Sequence, residues 1–162
     1  MKKTFLKLFA ALSVLFVILV LADVGNAQRR REARGKRLNK AQVEQVINRL
    51  EERVDNFDDY FDRSLDRSGL DGTNREDWLN KRASDLETAT DELRREFDHR
   101  DAWVENKNEV RNCLNIASDI DRTIRNRKFG ANTETIWARV RFELNTLADI
   151  YNIPKVGAAA YK

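Results

Sequence analysis

The chain has 162 residues, 41% hydrophobic and 35% charged, with one Pro, six Gly and one Cys. That is room for one ordinary domain built from long helices, and it disfavours a turn-rich β fold; the lone Cys113 excludes an intrachain disulfide. Of the formal net charge of +3, residues 1–27 carry +2 and residues 28–37 carry +5, leaving −4 for residues 38–162, so the body lacks the basic surface of a nucleic-acid binder.

Residues 1–27 read as a signal peptide. Lys2, Lys3 and Lys7 make a positive start, Leu8 to Ala22 is an apolar run broken only by Ser13, and Gly25 and Ala27 are small residues at the −3 and −1 positions. Cleavage is expected between Ala27 and Gln28, with a periplasmic or secreted product. No cysteine follows the run, which excludes a lipoprotein anchor. An uncleaved membrane anchor is the competing reading, and the run is shorter than the roughly 20 residues that span a bilayer. Residues 28–37 (QRRREARGKR) have no apolar period and read as a basic flexible arm. Such an arm serves as a spacer or touches anionic headgroups and other envelope polyanions. Membrane contact is expected only through these two segments.

Residues 38–153 read as a helical bundle. The first helix is predicted from Asn39 to Asp66, with Val43, Ile47, Leu50, Val54, Phe57, Phe61 and Leu65 on one face. Asp55, Asp58, Asp59, Asp62 and Asp66 flank that stripe on one side, and Arg49, Arg53, Arg63 and Arg67 on the other. The pattern predicts a helix packed between neighbours of different charge. Gly69 and Gly72 break the chain, and Thr73 to Glu76 reads as a capping box. The second helix carries Leu79, Ala83, Leu86, Thr90, Leu93 and Phe97 on one face. The next apolar residues, Trp103, Val110, Cys113, Ala117, Ile120 and Ile124, are out of phase with that stripe. A connection near Asp98–Asp101 is therefore expected, with either Asp as N-cap; a bent continuous helix is the alternative. On its stripe Cys113 is expected to be buried and inert. The third helix should end near Arg127, with Asn132 or Thr133 capping the fourth.

The fourth helix, Thr133 to Ile153, sets Trp137, Val140, Leu144, Leu147 and Tyr151 on one face and Arg139, Glu143, Asn145 and Asp149 opposite. Residues 154–162 read as a disordered tail. Four amphipathic helices with short connections predict an all-α fold, an antiparallel up-down four-helix bundle.

No catalytic residue, cofactor or metal ligand is assigned. Glu96 and His99 match half of a di-iron Glu-x-x-His motif, but His99 is the sole histidine. An EF-hand register over Asp66 to Trp78 would put Arg67 at its first position and Trp78 at its twelfth, where the bidentate Glu belongs. The first helix's aspartates read as a solvated face paired with nearby Arg. Trp78, Trp103 and Trp137 lie early in helices and read as core near the helix ends, their indole N–H groups reaching water or loop carbonyls.

Leu65 to Ser68, Leu70 to Thr73, Arg75 to Asp77, Ala89-Thr90 and Leu93 to Asp98, with the ending Trp137, Val140, Leu144, Leu147-Ala148 and Tyr151, resemble a family of small exported bacterial helical proteins of unknown function. The likeness rests on packing and capping residues, so it implies the fold and no activity. Spy-like periplasmic chaperones invite comparison, but their Leu-Thr-x-x-Gln repeats are absent here. Two functions fit: a non-enzymatic envelope protein that binds another macromolecule, an unknown protein or an envelope polyanion, and a periplasmic holdase-type chaperone or stress protein.

Overall fold

A computed structural model of the chain describes residues 38–127 and 129–158. The signal-peptide reading of residues 1–27, the arm at 28–37 and the last four residues of the expected tail lie outside the described residues. Those described form four α-helices: α1 (Lys40–Asp66), α2 (Asn74–His99), α3 (Lys107–Asn126) and α4 (Ala131–Tyr151). A 3₁₀ turn, Trp103–Asn106, precedes α3. α1 packs on α2 and α4, and α3 packs on α2 and α4, so the helices form a ring around one core. The fold is an all-α four-helix bundle.

Periodicity explains the core. All seven stripe residues of α1 are buried, with Val46 added at the stripe's edge. α2 buries its six predicted residues and α4 its five. Phe57 stacks on Phe61 at 4.9 Å and meets Trp137 at 4.9 Å, tying α1 to the first turns of α4. Each such side chain contributes about 1.5–3 kcal/mol by leaving water. Cys113 is buried and its thiol donates to the Ala89 carbonyl at 3.3 Å. Burial pushes its pKa up to about 12.

The helix ends differ from expectation. α1 has a reciprocal capping box between Asn39 and Gln42 that the spacing alone did not single out. Thr73 caps α2 through its hydroxyl, but Glu76 bonds the Gly72 N–H at 2.6 Å instead of that of Thr73. Gly72 has φ +71, which lets its N–H face back towards Glu76. α2 and α3 are separate helices, joined at residues 100–102 ahead of the 3₁₀ turn. Neither Asp98 nor Asp101 is the N-cap of α3; Asn106 holds that position without a side-chain bond. The corner is fixed by Arg100, whose guanidinium reaches the Glu105 carbonyl, Asn106 Oδ1, Glu96 and Glu109 at 2.8–2.9 Å. Neither Asn132 nor Thr133 caps α4, which starts at Ala131 after Gly130 (φ +97). Thr133 turns its hydroxyl to Ser64 of α1, 2.7 Å away.

The tail expected from residue 154 is packed as far as residue 158. Asn152 ends α4 in the left-handed region, and the Ile153 N–H returns to the Ala148 carbonyl at 2.9 Å. Val156 is buried and its N–H bonds Asn145 Oδ1 at 2.9 Å. Gly157 lies so close to the Arg125–Asp121 pair that a Cβ would sit 2.7 Å from Arg125 and 2.8 Å from Asp121. One apolar side chain and one backbone bond thus dock what composition alone described as loose.

Candidate functional site

Three features stand out: an acidic face, two buried carboxylates and a groove with a basic lining. The acidic face comes from α1 and α2. Each carries eight acidic residues, against four basic ones on α1 and five on α2. The heptad-like flank Asp55, Asp58, Asp59 and Asp62 of α1 meets Glu87 and Asp91 of α2. The carboxyls of Glu51, Asp55, Asp58 and Glu87 are all held above their ordinary range, first by burial and then by neighbouring carboxylates: Asp91 beside Glu51 and Asp55, Asp59 beside Asp58, and Asp58 beside Glu87. The expected helix lies between neighbours of different charge, but across this seam like charge faces like. Among the described residues Asp55, Asp58, Asp59 and Asp62 form no ion pair, so they are not paired with nearby Arg as expected. At its upper end Arg94 reaches Glu44 at 3.4 Å and also bonds Asn48. The other flank of α1 meets the expectation, because Arg49 and Arg53 turn to α4.

Their target corrects the reading of α4. Glu143, placed on its polar face by the sequence, is only 1% exposed. Arg49 approaches it at 3.1 Å and Arg53 at 2.8 Å. Glu143 follows Val140 by three and precedes Leu147 by four, which puts it inside the apolar arc. Asp121 of α3 is a second case, 2% exposed. Trp137 Nε1 donates to it at 2.9 Å and Arg141 at 3.1 Å, while Arg125 pairs with it at 2.6 Å. Trp137 thus reaches a carboxylate rather than water or a loop carbonyl. Both carboxylates are buried with arginine partners, as burial of charge requires.

The groove, about 710 Å³, runs between the outer face of α3 and residues 153–158. Arg111, Arg122, Arg125 and Lys155 line it, above a floor that includes Leu114 and Pro154. α3 is the one helix of the four with more basic than acidic residues, four against three.

The motifs weighed in the sequence are dispersed. His99 is exposed, its Nδ1 2.6 Å from the Arg95 carbonyl, and Glu96 pairs with Arg100 at 2.8 Å. Trp78 is half-buried beneath the Arg75 guanidinium, 4.3 Å from its ring centroid. Trp103 sits edge-on to Tyr151 at 5.4 Å. The three tryptophans therefore do not form a layer; only Trp137 belongs to the core. The α1–α2 turn brings one carboxylate oxygen each from Asp66, Asp71 and Glu76 within 4.8 Å of one another. These three could serve a hard cation as oxygen ligands, though Glu76 already accepts the Gly72 N–H.

No protein-family model matches the chain, and neither does any curated protein or solved structure. Among the described residues, no helix is long and apolar enough to cross a membrane.

Proposed function

We propose that the chain is an exported, non-enzymatic helical bundle that acts by binding another macromolecule in the cell envelope, and that it belongs with the small exported bacterial bundles its packing residues resemble. The observation that carries this reading is the acidic face. Like-charged side chains gathered along a helix seam oppose folding by a few tenths of a kcal/mol per pair. Glu51, Asp55, Asp58 and Glu87 gather there all the same, which makes sense for a surface kept for a partner of opposite charge. The leader-like residues 1–27 support the location. A holdase, by contrast, needs extensive apolar surface for its clients. Among the described residues only Val104 and Phe142 are large hydrophobics exposed to solvent, which favours selective binding.

Cross-linking in intact cells followed by affinity capture tests the reading. The wild-type chain should recover a defined partner that the Asp55→Lys, Asp58→Lys variant loses. Recovery of the same proteins by both would remove the acidic face from the account. Mass spectrometry of the mature N-terminus should find Gln28, and a chain still beginning at Met1 would remove the cleaved leader.

A further inference from the structure

We infer that the groove between α3 and the C-terminal segment is a docking site for an extended acidic peptide, with carboxylates spaced to reach Arg111 and Arg122 together. This rests on the reading that the chain works by binding macromolecules, and it concerns a different surface from the acidic face.

Arg111 and Arg122 are eleven residues apart on α3. Eleven residues make close to three full turns, so both lie on one face, separated by about 16 Å of helix axis. Both are exposed, and neither is held closely by a carboxylate. Arg111 donates only to Asn108 Oδ1, at 2.9 Å, and the nearest carboxylate to Arg122 is Asp119 at 3.9 Å. Each therefore keeps most of its planar fork for a carboxylate.

The ground between them is mixed, with Asn115 and Ser118 beside Leu114, and it is walled. Leu114 lies one turn beyond Arg111, and Ile153 and Pro154 close the opposite side. The carboxylates in the lining are already answered by cations. Asp121 is saturated by Arg125, Arg141 and Trp137, and Asp119 stands between Arg82 at 3.8 Å and Arg122. Lys155 adds a fourth basic group, itself 2.8 Å from Asp149.

A ligand for this surface is long, carries negative charge at both ends of a roughly 16 Å span and is uncharged between. An extended chain rises about 3.3 Å per residue, so acidic side chains four to six residues apart fit it. A compact anion would engage only one of the forks.

The test is fluorescence anisotropy with the purified full chain and a labelled peptide of about ten residues. The peptide carries two glutamates four residues apart with leucine and alanine between them, and a twin carries glutamines instead. The glutamate peptide should bind, more weakly as salt is raised, and at least about tenfold more tightly than its twin. Arg111→Glu with Arg122→Glu should weaken it at least about tenfold, and the charge reversal Arg95→Glu on α2, outside the groove, should leave it unaltered. Both groove arginines are exposed, so circular dichroism should show an intact bundle; should the double variant misfold, Arg111→Gln with Arg122→Gln carries the same expectation. No binding by the wild-type chain, equal binding of the two peptides, or equal loss in the Arg95→Glu control would overturn the docking site. Those results leave the envelope capture experiment unaffected, so the two readings fail separately.

Discussion

At the residue scale, the side chains that decide most are those whose chemistry departs from their neighbours'. Cys113 shows how burial changes reactivity. Its thiolate would have to form in an apolar interior, and the pKa is pushed up to about 12. The native chain at pH 8 should therefore resist alkylation by iodoacetamide and label fully in denaturant; fast labelling of the native chain, followed by mass spectrometry, would contradict the burial. Asp121 holds three donors from two helices. Asp121→Asn keeps the shape but removes the charge that answers Arg125 and Arg141, and should cost about 2–3 kcal/mol in urea unfolding. Neither buried acid was legible in the sequence. Both sit beside the apolar stripe, where a carboxylate looks solvated, and the arginines that license Glu143 are more than 80 residues away along the chain. The hint available was geometric: Asp121 lies four residues after Ala117 and three before Ile124, within the core arc, with Arg125 one turn further on.

At the element scale, the helices themselves were legible because their stripes repeat over five to seven positions, and repetition averages out local ambiguity. The ends were less so. Capping is decided by one hydroxyl or one backbone torsion, and Thr133 had two uses open to it, of which the bond to Ser64 is the one adopted. The same holds for residues 153–158, a stretch with no apolar period that is held by a fit visible only against the α3 surface. Gly157, at φ +76, has neither the torsion nor the space for a side chain. Gly157→Ala should lift the segment at a local cost of about 1–2 kcal/mol. Hydrogen exchange at the Val156 N–H should accelerate while the melting temperature of the bundle stays nearly constant. An unchanged exchange rate would mean the segment is held by other contacts.

At the scale of the whole molecule, the charge distribution governs pH dependence. The folded pKa values of Glu51, Asp55, Asp58 and Glu87 lie above the values of 4.5 for Glu and 3.8 for Asp that the unfolded chain would show. Between those limits the folded state binds more protons, so these groups oppose folding at neutral pH and cease to do so as pH falls through the raised values. The relief is complete below the unfolded values. Asp55→Asn with Asp58→Asn should raise stability at pH 7 by about 0.5–1 kcal/mol. It should also shrink the stability gained between pH 7 and pH 5, as read by urea midpoints. A loss of stability at pH 7 would show instead that these aspartates are answered by cations.

The Glu143 clamp has a consequence in time. Three of the helix seams join consecutive elements and need only short loops to close. The α1–α4 seam spans 94 residues between Arg49 and Glu143, so its loop entropy is the largest and it is the natural last step of folding. Glu143→Gln should therefore leave the refolding rate almost untouched and raise the unfolding rate severalfold in stopped-flow experiments. A carboxylate that looked like surface decoration would then be the bolt that sets how long the closed ring survives.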